Sequence, residues 1–149
     1  MENLSERLKT IYKMVPKGIA ADIGADHGKL IIALFEGGVI SHGYAVENKK
    51  GPYNRLVKAL KERDLLDDIV PLFSDGIKDL PATVHNVIIA GMGGNLIIDI
   101  LKKYPKKTEQ IQTLIIDAHT CIPKVREEVS KLGFVIADEK MVREDDVFY

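Results

Sequence analysis

The stretch 88-IIAGMGGNLIIDIL-101 joins two strongly apolar runs through four small or flexible residues, Ala90, Gly91, Gly93 and Gly94. Glycine loses more backbone entropy on folding than any other residue and buries no side chain, so this cluster needs a physical reason. One reason is a tight strand-to-helix turn in which small residues are required for packing. The other is a ligand lying against bare backbone. Both predict the same local structure: a buried strand that ends at the glycines and a helix over 95–103.

Similar units flank it. Leu4, Leu8, Ile11 and Val15 recur at helical spacing behind a Ser5-Glu6 start, and 16-PKG-18 ends that helix. Residues 18–24, GIAADIG, read as a buried strand entering a glycine turn, and 30–35 as a helix stopped by Gly37-Gly38. A second strand covers 41–46 and ends at Glu47. Gly51-Pro52 opens the next helix, whose apolar stripe is Leu56, Val57, Leu60 and Leu65. The third strand is 69-IVPLF-73, and Pro71, which cannot donate to a ladder, assigns it to a sheet edge. Residues 84–89 make the fourth strand, 113–117 the fifth and 123–132 a helix, while 134-FVIA-137 and a strand stub at 147-VFY-149 close the chain. Such alternation implies an α/β, Rossmann-like fold, a mostly parallel sheet with helices on both faces.

The 149 residues, 46% hydrophobic and 29% charged, suit one globular domain with a core of its own. The one cysteine, Cys121, excludes an intramolecular disulfide framework and a cysteine-rich zinc site, and fits a reducing compartment. The opening MENLSERLKTIYKMV lacks the features of a secretory signal, and no apolar run is long enough to cross a membrane. A cytoplasmic location is expected, with no membrane contact and no evident protein partner. With 21 Lys+Arg against 22 Asp+Glu the formal charge is −1, which does not announce a nucleic-acid binder. The runs Lys49-Lys50, Lys58-Lys61 and Lys102-Lys103-Lys106-Lys107 read as solvated faces.

In sheets of this kind ligands bind beyond the carboxyl ends of the strands, where strand order reverses. The first strand leads into 22-DIGADHGKL-30, where Gly24 lets backbone approach a ligand and the following helix offers its N-terminal amides. Glu47 ends the second strand about twenty residues later, the separation at which an acid accepts ribose hydroxyls. After the third strand comes 74-SDG-76, an Asp able to accept from an exocyclic amine beside a Gly that leaves room for a flat ring. After the fourth comes AGMGG. Taken in order, these describe a pocket for an adenosine-bearing cofactor. A dinucleotide fingerprint wants G-x-G-x-x-G, but Asp26 stands where the second glycine would admit a pyrophosphate. A carboxylate there suits a ligand with a positive ammonium or sulfonium, and S-adenosylmethionine carries both. Asp22-x-Gly24 is similar to the first motif of class I methyltransferases, without their usual middle glycine.

The combination of 22-DIGADHGKL-30, Glu47 with 51-GP-52, 75-DG-76 and above all 88-IIAGMGG-94 resembles the bacterial tRNA (adenine-N1)-methyltransferases that modify adenine 22 in the tRNA core. The segment 4-LSERLKTI-11 is similar to that family's opening helix, which places an arginine, here Arg7, near the site. The resemblance spans essentially the whole sequence. It implies a Rossmann-like methyltransferase domain over 1–149 that uses S-adenosylmethionine and takes tRNA as partner. By the same resemblance Gly24, Asp26 and His27 line the methionine side and Glu47 the ribose, and Asp22 and Asn48 are assigned to cofactor binding with them. Asp75 and Gly76 take the adenine, while Ala90, Gly91 and Met92 form the wall between donor and target base. Arg7, Gly93, Gly94 and Asn95 are assigned to the substrate side.

Three departures accompany it. Family members continue into a helical C-terminal region that helps grip tRNA, whereas this sequence stops at Tyr149; it stops inside a closing strand; and the expected Gln-Pro-Asn-like segment is 117-DAH-119.

Methyl transfer to adenine N1 needs positioning more than a strong base, and a carboxylate near the reacting edge stabilises the developing positive charge. Asp26 is the catalytic candidate. Gly91, Gly93 and Gly94 are expected to form a backbone floor for donor methyl and base. AGMGG has no aromatic face, so stacking is assigned elsewhere, with Tyr53 or Tyr12 as options. His27 has no companions at metal-ligand spacing and reads as a hydrogen-bonding residue, with no metal expected. Two alternatives stay open, a methyltransferase of small molecules or proteins and a module that binds the cofactor without turnover.

Overall fold

A computed structural model describes residues Met1–Tyr149. Strand β1 (Gly18–Ile23) presents Ala20 and Ala21, both fully buried, to opposite faces, so it is a strand that must be covered on both sides. It lies at the centre of a five-stranded sheet. Strands β2 (Ile40–Glu47) and β3 (Ile69–Phe73) add on one side, and β4 (Asn86–Met92) and β5 (Thr113–Ala118) on the other. The order is β3-β2-β1-β4-β5 and every neighbouring pair is parallel. After β3 the chain returns to the far side of β1, so the order reverses between β1 and β4, where parallel sheets open a crevice. Pro71 lies on the edge strand, as its missing donor requires.

The period-two alternation of the strands divides the core in two. Ala20, Ala45, Ile88 and Ile115 join one apolar cluster with α1 (Glu6–Met14), α2 (Lys29–Glu36) and α3 (Lys50–Glu62). Ala21, Val46, Val87 and Ile89 join the other with α4 (Gly94–Lys103) and α6 (Ile122–Lys131). Helix α1 starts where expected: the Ser5 hydroxyl accepts from the Leu8 amide and Glu6 occupies the first turn. No helix is long and apolar enough to cross a membrane.

Four details differ from the sequence expectation. Strand β4 begins later than 84 and runs past 89 through the glycines to Met92, because Gly91, at φ +76°, forms a bulge and pairing with β5 resumes beyond it. Helix α3 stops at Glu62, and Leu65 is buried from the turn that follows. A short helix, α5 (Pro105–Glu109), is added after α4, with proline in its first turn. Residues 134–137 form no strand: Val135 is 90% exposed. Instead β6 (Arg143–Glu144) and β7 (Val147–Phe148) pair with each other as a separate antiparallel hairpin, not with the main sheet. The hairpin is tied to α1, where the Arg7 amide donates to Glu144 Oε1 at 2.9 Å.

The first residue of α4 shows what fixes this packing. A Cβ on Gly94 would lie 2.4 Å from the Thr120 carbonyl oxygen and 2.8 Å from Val125 Cγ2. Gly94→Ala is expected to cost about 1–3 kcal/mol in urea-induced unfolding. Gly51→Ala, in the exposed first turn of α3, meets beyond its chain neighbours only the flexible Arg55 side chain at 3.7 Å. Pro52 disfavours a helical side-chain-bearing residue before it, which offsets the entropy gained in the unfolded chain, so the expected change is within about 0.5 kcal/mol of zero.

Candidate functional site

The loop after β1 is held by the tip of β2. The amides of Gly24 and Ala25 both donate to the Val46 carbonyl, at 2.9 and 3.2 Å, and the Asp26 amide donates to Glu47 Oε1 at 2.6 Å. The loop follows this path through left-handed conformations at Gly24 (φ +76°), Asp26 (φ +49°) and Gly28 (φ +73°). Aspartate is among the few residues with side chains that adopt this region readily. Gly28 caps α2, and a Cβ there would press on Leu56 Cδ1 at 3.1 Å.

Above the β1 tip lies a cavity of about 300 Å³, lined among others by Arg7, Asp22, Gly24, Asp26, Ala90 and Gly91. His27 and Lys29 border it as well. Two of the acids at these strand tips, Asp22 and Glu47, are buried, at 6% and 8% exposure. Burial, and after it the charge of Glu47, pushes the Asp22 carboxyl up to about 7. With a value near neutral pH this carboxyl is divided between its protonated and ionised forms, and a cation beside it favours the ionised one. Asp26 is different: its side chain is 61% exposed, with Oδ1 3.7 Å from Arg55 Nη2 and 3.9 Å from His27 Nε2.

A second cavity, of about 340 Å³, lies at the tips of β2 and β3 and is lined by Asn48, Phe73, Ser74 and Asp75. Glu47 pairs in register with Phe73, and the Ser74 amide donates to the Glu47 carbonyl at 3.0 Å, so Glu47 stands between the two hollows. Asp75 Oδ2 accepts from both Lys103 Nζ and Tyr104 OH, each at 2.6 Å. The Lys103 bond, then the Tyr104 bond, holds this carboxyl below its usual range. Gly76, expected on the adenine side, has a packing duty of its own. Its φ is +56° and a Cβ would meet Ile100 Cγ2 at 3.1 Å, so a turn packed on α4 already requires glycine there.

The expected three-glycine floor is also revised. Only Gly91 lines the cavity; a Cβ there would approach nothing but Arg7 Nη1, at 3.8 Å. Gly93 caps α4 with Thr120 Oγ1 3.1 Å from its would-be Cβ, and Gly94 is crowded by the β5–α6 connection. Both therefore serve packing. Asn95 Oδ1 accepts from Lys124 Nζ at 3.0 Å, which turns it towards α6. Met92 Cε lies 2.6 Å from where a Gly24 Cβ would be, so Met92 leans on the first loop.

Arg7 crosses from α1 to the end of β5. Its Nη1 donates to Asp117 Oδ2 at 2.6 Å, and its guanidinium lies 5.4 Å from the Tyr149 ring centroid. His119 Nε2 is 3.3 Å from the same Asp117 oxygen, and its ring is 4.9 Å from Tyr149. The residues of 117-DAH-119 thus join Arg7 at the cavity rim, a linkage that no sequence signal foretold. Neither expected stacking residue is there. Tyr12 packs in the core below α2 with its hydroxyl against Gly37, and Tyr53 leans on Phe73 at 5.4 Å. Lys103 and Tyr104 were also missed, since helical spacing reports their face and not their partner. No group of three or more His, Cys, Asp or Glu side chains is arranged to hold a metal.

A family profile for the methyltransferase domain matches residues 4–149. The tRNA (adenine(22)-N(1))-methyltransferase of Bacillus subtilis (strain 168) is 30% identical over 148 residues; the match covers 98% of this chain and 62% of that protein. Among solved structures, a candidate tRNA (m1A22) methyltransferase of Streptococcus pneumoniae in complex with S-adenosyl-L-methionine is 33% identical, with a TM-score of 0.94 over 98% of this chain and 70% of that one. TrmK of M. capricolum, bound to S-adenosyl-homocysteine, is 28% identical with a TM-score of 0.88 over 98% of this chain and 66% of that one. Sheet order, strand-tip crevice and family match together define a class I methyltransferase domain. Within that class the chain belongs to the TrmK-like tRNA (m1A22) methyltransferase family. It spans less than two thirds of the Bacillus subtilis relative's length.

The Asp22 environment has a measurable consequence. Because its folded-state value of about 7 lies above the ordinary 3.8, protonated Asp22 favours the fold. That contribution is complete below the ordinary value and is lost as pH rises through the folded one. In the ligand-free protein, Asp22→Asn is expected to raise Tm at pH 8 by several degrees, the equivalent of roughly 2–4 kcal/mol, and to leave it nearly unchanged at about pH 3, below the ordinary value. Thermal unfolding followed across that range checks it.

Proposed function

We propose that this chain binds S-adenosylmethionine along the strand-tip crevice and transfers its methyl group to N1 of adenine 22 in tRNA. The observation that carries the proposal is the pair of buried carboxylates at the strand tips: Asp22 lines the cavity of about 300 Å³, and Glu47 holds the glycine-turned loop that borders it. Such acids repel a pyrophosphate and fit an ammonium, a sulfonium or a ribose diol. The related Streptococcus pneumoniae and M. capricolum proteins, which hold S-adenosyl-L-methionine and S-adenosyl-homocysteine, support the same choice.

When bound, S-adenosylmethionine supplies an electrophilic methyl on a sulfonium. The chain's part is binding and alignment. Asp22, Gly24, Asp26 and His27 receive the methionine end. Glu47 has one oxygen committed to the Asp26 amide, and its other oxygen, with Asn48 alongside, takes a ribose hydroxyl. Asp75 takes the adenine amine. Ala90 and Gly91 leave the backbone bare where donor and base must meet, and Arg7, clamped by Asp117, marks the RNA side. Adenine N1 already carries a free lone pair at neutral pH, so no general base is required. Asp26 at the open rim stabilises the positive charge that develops on the base. Since N1 is the pairing edge, the base is taken out of its stack before transfer. Residues 1–149 act as one cofactor-binding domain, in the cytoplasm where tRNA is found.

The test is incubation with methyl-labelled S-adenosylmethionine and unmodified tRNA, with protein and metabolite extracts in parallel. Label is expected in tRNA alone and is lost when adenine 22 is replaced by guanine. Label in protein or metabolites only, or cofactor binding with no transfer to any acceptor, overturns the proposal. Glu47→Gln is expected to weaken S-adenosylhomocysteine binding about tenfold by calorimetry, through loss of a charged acceptor.

A further inference from the structure

Two donors converge on one oxygen of Asp75. Lys103 Nζ comes from the last residue of α4 and Tyr104 OH from the residue that ends it, and both reach Oδ2 at 2.6 Å. Burial does not force the convergence, since the side chains of Asp75 and Lys103 are 45% and 60% exposed. The result is a carboxylate with one oxygen taken and the other, Oδ1, without a partner from the chain. Two bonds to a single oxygen also restrain rotation of a side chain that would otherwise sample several rotamers.

The surroundings of Asp75 limit what can use that free oxygen. The hollow it lines, about 340 Å³, contains besides Asn48 the Phe73 side chain, 58% exposed, and Ser74. Ser74 is turned away from this duty, because its hydroxyl accepts from the Asp79 amide at 3.2 Å. What remains beside Asn48 is one flat aromatic ring, tilted against Tyr53, and one ionised acceptor. That chemistry suits a planar heterocycle with an outward amine. It disfavours one with a carbonyl at the same position.

We propose that Lys103 and Tyr104 are positioning residues that make this end of the crevice selective for a 6-aminopurine, by occupying Asp75 Oδ2 and leaving Oδ1 to accept from the amine. The inference rests on the S-adenosylmethionine proposal above and adds to it the residues that choose the base. Lys103 supplies a charged donor that holds Oδ2, while the carboxylate, ionised at neutral pH in any case, only accepts. Tyr104 is neutral and contributes direction. The preorganised acceptor spends no further side-chain entropy when the ligand arrives.

Calorimetric titration of the full chain tests this with two ligands, S-adenosylhomocysteine and its analogue carrying unsubstituted purine, which lacks only the amino group. Wild type is expected to prefer the amino ligand about tenfold. Tyr104→Phe and Lys103→Gln each narrow the preference, and the double variant brings the two ligands within about twofold while the purine analogue's affinity hardly changes. Lys103→Arg, which restores a charged donor, retains most of the preference. Equal weakening of both ligands by these substitutions, as a merely structural role would give, overturns the inference, and so does a preference that survives in the double variant. A wild type that binds both ligands equally also overturns it while the cofactor proposal stands. If wild type binds neither, both fall.

Discussion

The 2.6 Å hydrogen bond from the Asp26 amide to Glu47 Oε1 is the contact on which the crevice depends. The β1–β2 ladder ends at Ile23 and Val46, and beyond it the chain must turn back into α2 with its amides near a cavity. Unpaired donors there would be costly. The Val46 carbonyl takes two of them and the Glu47 side chain takes the third. The loop is thereby fixed in its left-handed course, and Glu47 is fixed with it.

Acids at the two ends of the crevice are driven in opposite directions. Asp22 is buried beside another carboxylate and rises to about 7. Asp75 is open to solvent and held by Lys103 and Tyr104, which lower it. One end therefore favours a cation, and the other keeps a permanent acceptor. The same residue type serves both ends because desolvation decides one site and donated hydrogen bonds the other.

Glycines that look equivalent in the chain have separate physical duties. Gly91 makes the bulge at the end of β4 and faces the cavity. Gly94 lets the first turn of α4 approach the Thr120 carbonyl and α6. Both explanations posed by the sequence thus hold, each at a different residue. On the far side of the bulge, Arg7 joins α1, β5 and the final hairpin through Asp117, Tyr149 and Glu144, so the rim is assembled from both ends of the chain.

Apolar periodicity was enough to determine the five strands and the order of the crossover helices, because burial on both faces leaves few alternatives to those runs, and Pro71 marked β3 as an edge. The placement of Asp22, Glu47 and Gly91 at strand ends was legible too, since the end of a parallel strand is a place that sequence can mark. The partners of Arg7 and Asp75 were not. Asp117 lies 110 residues from Arg7 and Tyr104 lies 29 from Asp75, and nothing local records such distances. Residues 134–137 carry an apolar pattern yet form no strand, for a strand needs a neighbour to pair with and a pattern does not supply one. Local chemistry named the groups; only the tertiary structure decided which of them meet, because those meetings depend on packing between elements remote in the chain.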